Sequence, residues 1–160
     1  MGKVKLMKLF YFLDFVHTKK YGGPVTYDTY IHLEHGPIPS TILNLIDTAV
    51  DDPAKSALND VIHFEYIKRR QGGEEMIKMI PNRKFGEADR KYFSISELEV
   101  LEEVCQKFYS NNADSIEKAS HEEAPWKETN LMETIPYSLA AKDKDSEVTK
   151  EEIDLLLKAI

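Results

Sequence analysis

At 160 residues, 42% hydrophobic and 31% charged, the chain has the size of one ordinary domain and enough apolar content for a real core. Its net charge of −7, with no long basic block, excludes the electrostatic footprint that direct nucleic-acid binding leaves. The single cysteine, Cys105, excludes an internal disulfide and fits a reducing cytoplasm.

From Val4 to Lys19, Leu6, Leu9, Phe10, Leu13 and Val16 recur at helical spacing. Phe12 and Phe15 put apolar groups on further faces, the pattern of a helix central to its fold. Lys3, Lys5 and Lys8 ahead of Phe10 to Leu13 resemble a targeting segment superficially. Asp14 interrupts that run, no small-residue cleavage site follows, and the stretch is too short and charged to span a membrane. Gly22-Gly23-Pro24 ends the helix. Thr26 or Asp28 is placed to cap a short helix or turn through Glu34, and Gly36-Pro37-Ile38-Pro39 to force a rigid reversal. A second helix starts at Ser40 or Thr41 with Ile42, Leu45, Ile46 and Ala49 on one face, closed by Asp51-Asp52-Pro53.

The period then becomes two. Ile62, Phe64 and Tyr66 alternate with polar residues, and Met76 to Ile80 reads as a second strand. Gly72-Gly73 between them signals a hairpin, with Lys68-Arg69-Arg70 solvated near its tip and Pro81 as its stop. Ser94-Ile95-Ser96-Glu97 is a capping box for a helix whose apolar stripe is Leu98, Leu101, Val104, Cys105 and Phe108, which would bury Cys105. A shorter helix runs from Ser115 to His121, terminated by Pro125, and another from Ile135 to Ala141. A charged segment, Lys142 to Glu147, leads to a second capping box, Thr149-Lys150-Glu151-Glu152. That box opens a helix with Ile153, Leu156, Leu157 and Ile160 at i, i+3, i+4, i+7, expected to dock on its own domain. The fold class is mainly α with a small β-hairpin, a compact single-domain helical bundle.

Two clusters carry the chemistry: Tyr27 to Ser40 and Ser120 to Trp126. His32 and His35, with Glu34 between them and His121 in the second cluster, are the ligands a metal-dependent hydrolase would use. The histidines lack the spacing of a zincin helix, so no metal site is expected. There is no nucleophile elbow and no phosphate-binding glycine loop, so neither an enzyme nor a cofactor is expected. Asp14 and His17 lie at i, i+3 on an apolar helix. Buried there, they need partners, which suggests a bond with each other and with Tyr27 or His121. Trp126 after Pro125 reads as a core anchor with its indole N–H on a backbone carbonyl, or else as a partner hot spot.

Five segments resemble one family, the Panacea domain: Lys8 to Asp14, Gly23 to Thr26, Glu34 to Ser40, Phe93 to Glu99, and Ser120 to Lys127. Its members include SocA-type antitoxins and phage-associated proteins. The order and spacing are similar from Lys8 to about Ala141, giving a domain at 1–141 and a charged segment and helix at 142–160. The resemblance implies a mostly helical domain that neutralises a toxin encoded beside it by direct binding. One branch of the family instead works as a proteolytic adaptor to a ClpXP-type protease. It implies no catalytic set. The structural or partner-binding residues are then Asp14, His17, Tyr27, His35, Gly36, Pro37, His121, Pro125 and Trp126. No separate helix-turn-helix is visible, and the partner expected is a protein, with no nucleic acid and no membrane.

Overall fold

The computed structural model describes residues 1–67 and 76–159. Helix α1, Lys3–Tyr21, is the hub, as its all-round apolar character predicts. Met7, Tyr11, Phe12 and Phe15 are each at most 1% exposed. It ends where glycine permits: Gly22 has φ 84°, and its N–H donates to Thr18 O at 2.8 Å.

The segment after α1 departs from expectation. Residues Tyr30–Leu33 form a strand, β1, and Gly36–Pro39 form β2, paired antiparallel with Leu33 opposite Gly36. The expected helix or turn through Glu34, and the reversal at 36–39, are therefore together a second hairpin. Tyr30 and His32 are buried while Ile31 and Leu33 are half-buried, the two-residue period of a strand. Both prolines are tolerated because β2 lies at the edge of its sheet, whose order is β2, β1, then β5 at Thr134–Ile135. Asp28 caps no helix of its own. Its carboxylate accepts from the Thr41 and Ile42 N–H groups, at 2.9 and 2.8 Å, and so caps α2, Ser40–Asp51. Ile46 and Ala49 of α2 are buried, whereas Leu45 is 48% exposed and lies off the predicted face.

Strands β3, Ile62–Ile67, and β4, Met76–Pro81, form the expected antiparallel hairpin. The Lys68-Arg69-Arg70 cluster and the Gly72-Gly73 turn lie outside the described residues. Met79 of β4 packs with Met7 and Ile46 in a second, smaller core. After the short α3, Glu87–Arg90, comes α4, Ile95–Lys107, opened by the predicted capping box at Ser94 and Glu97. Val100, Val104 and Phe108 carry its buried stripe, but Cys105 is exposed. One residue turns a helix by about 100°, which takes Cys105 round from Val104 to the solvent side.

Helix α5, Ala113–His121, is capped by Asn112. Pro125 does not simply terminate what precedes it. It sits in the first turn of a further short helix, α6, Ala124–Lys127, where its missing N–H is not needed. The expected helix at 135–141 is the end of β5 followed by a 3-10 helix, Tyr137–Lys142. The second capping box opens α7, Lys150–Lys158, through Thr149 and Glu152. Ile153 of α7 is 0% exposed in the main core, with Tyr11, Phe15, Val100 and Ile116 among its members. The whole is mainly helical, with two small antiparallel sheets rather than one hairpin. Among the described residues no helix is long and apolar enough to cross a membrane.

Candidate functional site

Three polar nodes surround α1, and the motif residues divide among them. The first is Asp14, which is 0% exposed. Its Oδ1 accepts from the Val25 and Thr26 N–H groups at 2.8 and 2.7 Å. Its Oδ2 accepts from the hydroxyls of Thr26, of Tyr30 at 2.8 Å and of Tyr137 at 3.3 Å. Burial pushes the Asp14 carboxyl up, against the pull of these donors. The pairing of Asp14 with His17 is not formed. The His17 Nδ1 lies 2.6 Å from Gly23 O and its Nε2 lies 3.1 Å from Ser96 Oγ. A carbonyl can only accept, so Nδ1 carries a proton. His17 thus pins the loop after α1 to the start of α4. Tyr27 is 49% exposed with φ 56°, and neither it nor His121 bonds to Asp14 among the described contacts.

The second node joins the β1–β2 hairpin to α5 and α6. Gly36 has φ 88°, and a side chain there would meet Ser120 Oγ at 2.8 Å, Lys8 Nζ at 2.9 Å and His121 Nε2 at 3.1 Å. Those three polar groups therefore converge on the glycine. Lys8 is 0% exposed and donates to Pro37 O at 2.8 Å. Burial lowers its ammonium to about 7, against the attraction of Glu117. Beside it Trp126 stacks on His121 at 4.0 Å and on His32 at 4.5 Å between ring centroids. Two near-parallel rings at such distances would overlap on one face, so the indole lies between the imidazoles. Burial lowers both histidines, and Lys8, His32 and His35 lower His121 further. His32 Nδ1 has Thr129 Oγ1 at 2.9 Å, but His121 Nε2 is buried without a partner.

One expectation changes here. Trp126 is half-buried, and its indole N–H meets no backbone carbonyl; it is a second buried polar atom without a partner. His32 and His121 are separated by the indole, while His35 points out, its side chain 75% exposed, toward Glu117 at 3.3 Å. Among the described residues no three of His, Cys, Asp or Glu are grouped so as to hold a metal ion. Pro125 is buried, and its carbonyl accepts from the Thr129 hydroxyl at 3.0 Å.

The third node was not read from the sequence. Lys19, 2% exposed, reaches Glu123 at 2.8 Å, Asp143 at 3.1 Å and Asp145 at 3.3 Å. Burial works to lower its pKa, but Glu123 and Asp143 outweigh it and hold it raised. Tyr11 donates to Glu123 at 3.2 Å, and the Ala124 N–H donates to Asp143 at 2.7 Å. A signal for Lys8 and Lys19 did exist. With Phe12 and Phe15 they fall at i, i+4, i+7, i+11 of α1, one stripe of a helix whose every face is covered. Chemically, the three nodes stitch α1 to the loop that follows it, to β1 and β2, and to α4, α6 and the 3-10 helix.

No curated protein and no solved structure matches the chain. The family described as antitoxin SocA-like, Panacea domain matches residues 6–127, which takes in Asp14, the Gly36-Pro37 start of β2 and the His121 to Trp126 motif. Over that span, more than half its length, the chain belongs to the antitoxin SocA-like Panacea domain family.

Proposed function

We propose that this protein is an antitoxin that neutralises a toxin protein by occupying it, with no catalytic step. The observation that carries the reading is the family match across residues 6–127. The geometry supports it from the other side. The motif side chains that looked chemical in the sequence are spent on internal contacts: Asp14 on five donors, and Trp126 on two imidazoles. What faces solvent is a surface with net charge −7 and scattered large apolar groups, including Tyr92, Ile95 and Tyr109. Such a surface suits a basic protein partner.

The test is co-expression with the neighbouring gene, in cells with and without a ClpXP-type protease. Protection in both backgrounds, with a complex that co-purifies, is the expected outcome. Protection only where the protease is present would replace neutralisation with the adaptor mechanism.

A further inference from the structure

We infer that the open edge of β3 is a docking site for an extended, basic segment of a partner protein, which would join the β3–β4 hairpin as a third strand. The inference rests on the protein-binding reading above and names a place for it.

The backbone makes the first part of the case. In an antiparallel pair, residues that exchange both hydrogen bonds alternate with residues whose N–H and C=O point away from the partner strand. The Asn82 N–H donates to Val61 O at 2.8 Å, which sets the phase. His63, Glu65 and Ile67 then bond across to Ile80, Lys78 and Met76. Phe64 and Tyr66 direct their N–H and C=O groups outward. The opposite edge confirms the phase, because Met79, across from Phe64, sends its N–H outward to Met1 O at 2.8 Å.

The two edges are treated differently. The N-terminal residues cover β4: the Met1 ammonium donates to Met79 O at 2.9 Å, and Gly2 bridges to Lys78. On β3 the Ile62 N–H is taken by Leu58 O at 2.9 Å. Beyond it, no backbone partner meets Phe64 or Tyr66 on the outer side among the described residues. Edges are usually blunted by lysine, proline or a bulge. This one carries Phe64 and a Tyr66 that is 58% exposed.

A cleft of about 200 Å³ lies alongside. Its strand residues come from β3, namely Ile62, His63, Phe64 and Tyr66, and it is also lined by Ala49 and Val50 at the end of α2 and by Pro53, just beyond that helix. Strand addition uses this pairing of an open edge, which holds any backbone, with a side-chain cleft, which selects. Charge selects the occupant. Asp51 and Asp60 are exposed and adjoin the cleft residues Val50 and Asn59 in the chain, Glu65 is exposed on the opposite face of β3 where an added strand would also run, and among the described residues no lysine or arginine lines the cleft. A second copy would bring the same acidic rim and a further charge of −7. A strand with an apolar residue for the cleft and lysine or arginine beside it meets both demands.

The probe is a displayed library of short random peptides, selected on the full-length protein. Enrichment of alternating apolar residues with lysine or arginine is expected. Tyr66→Pro removes only an outward N–H, which an edge strand tolerates. It should weaken an enriched synthetic peptide about tenfold, as one lost backbone bond does. N-methylation of that peptide at alternate positions should do the same to the unaltered protein, which keeps the test valid if Tyr66→Pro misfolds. Asp60→Lys with Glu65→Lys should also weaken binding. No enrichment, or binding indifferent to N-methylation, overturns the proposal. So does a dimer that Tyr66→Pro dissolves, since the edge would then belong to a second copy. All readouts use purified protein, so an edge that selects peptides in a chain that protects no cell would remove the neutralisation reading and leave the strand site standing.

Discussion

The hydroxyl of Tyr137 lies 3.3 Å from the carboxylate of Asp14 and 2.6 Å from the carbonyl of Asp28. Asp14 is on the central helix and inside the family match; Tyr137 lies beyond residue 127, where the match ends. One phenol therefore joins the later segment to a carboxylate that faces five donors. The hydroxyl serves as a donor, since burial raises its pKa and Asp14 adds to that shift.

Asp14→Asn tests this node. An amide offers one acceptor oxygen where the carboxylate offered two, and turns an NH₂ group toward donors that need an acceptor. The loss should be about 3–5 kcal/mol, the range for breaking a buried charged network. Urea melts measure it. Tyr137→Phe should cost less, since the other donors to Asp14 remain.

Gly36→Ala should destabilise by about 2–4 kcal/mol, from left-handed backbone strain and from crowding against Lys8, Ser120 and His121. Thermal unfolding is the check. An alanine variant that melts with the unaltered protein would mean that the three polar groups move aside freely.

Trp126→Phe retains a ring between His32 and His121 and deletes an indole N–H that has no partner. It should change stability by under about 1 kcal/mol. Trp126→Ala removes the stacked ring and should cost about 2–3 kcal/mol, less than truncation of a fully buried aromatic because the side chain is half-buried. A Trp126→Ala protein with unchanged melting but no partner binding would make Trp126 a contact residue instead.

Lys8 gives a pH signature. Its folded pKa, about 7, lies below the ordinary 10.5, so the unfolded chain binds the proton more tightly. Stability therefore carries a penalty below pH 7 that lifts as the pH rises from about 7 toward 10.5. The melting temperature should climb between pH 7 and 9, and Lys8→Met should flatten that climb. The lowered histidines act on the acid side, below their ordinary 6.5, while the Met1 ammonium, lowered by burial from 8.0, adds to the lower part of the climb and is what Lys8→Met leaves behind.

Helices announced themselves in the sequence where a local signal existed. The Ser94 and Thr149 capping boxes and the glycine after α1 stand where expected, since each is a bond or backbone angle within a few residues. The β1–β2 hairpin was hidden because Pro37 and Pro39 argue against a strand until its edge position is known. Asp14 was legible as a buried polar group needing partners. Tyr137, far along the chain, was not legible as one of them, because contact between distant residues leaves no spacing to read. Trp126 stood out in the sequence but with the wrong company: two imidazoles stack on it where a backbone carbonyl was expected.

The most direct test of neutralisation by binding is a titration of the neighbouring gene's purified product with this protein, with no protease or ATP present. The account predicts that toxin activity falls linearly and ends at a fixed molar ratio, with a complex of that stoichiometry on gel filtration. Undiminished activity at an excess of this protein, with inhibition appearing only on adding a ClpXP-type protease with ATP, would contradict it.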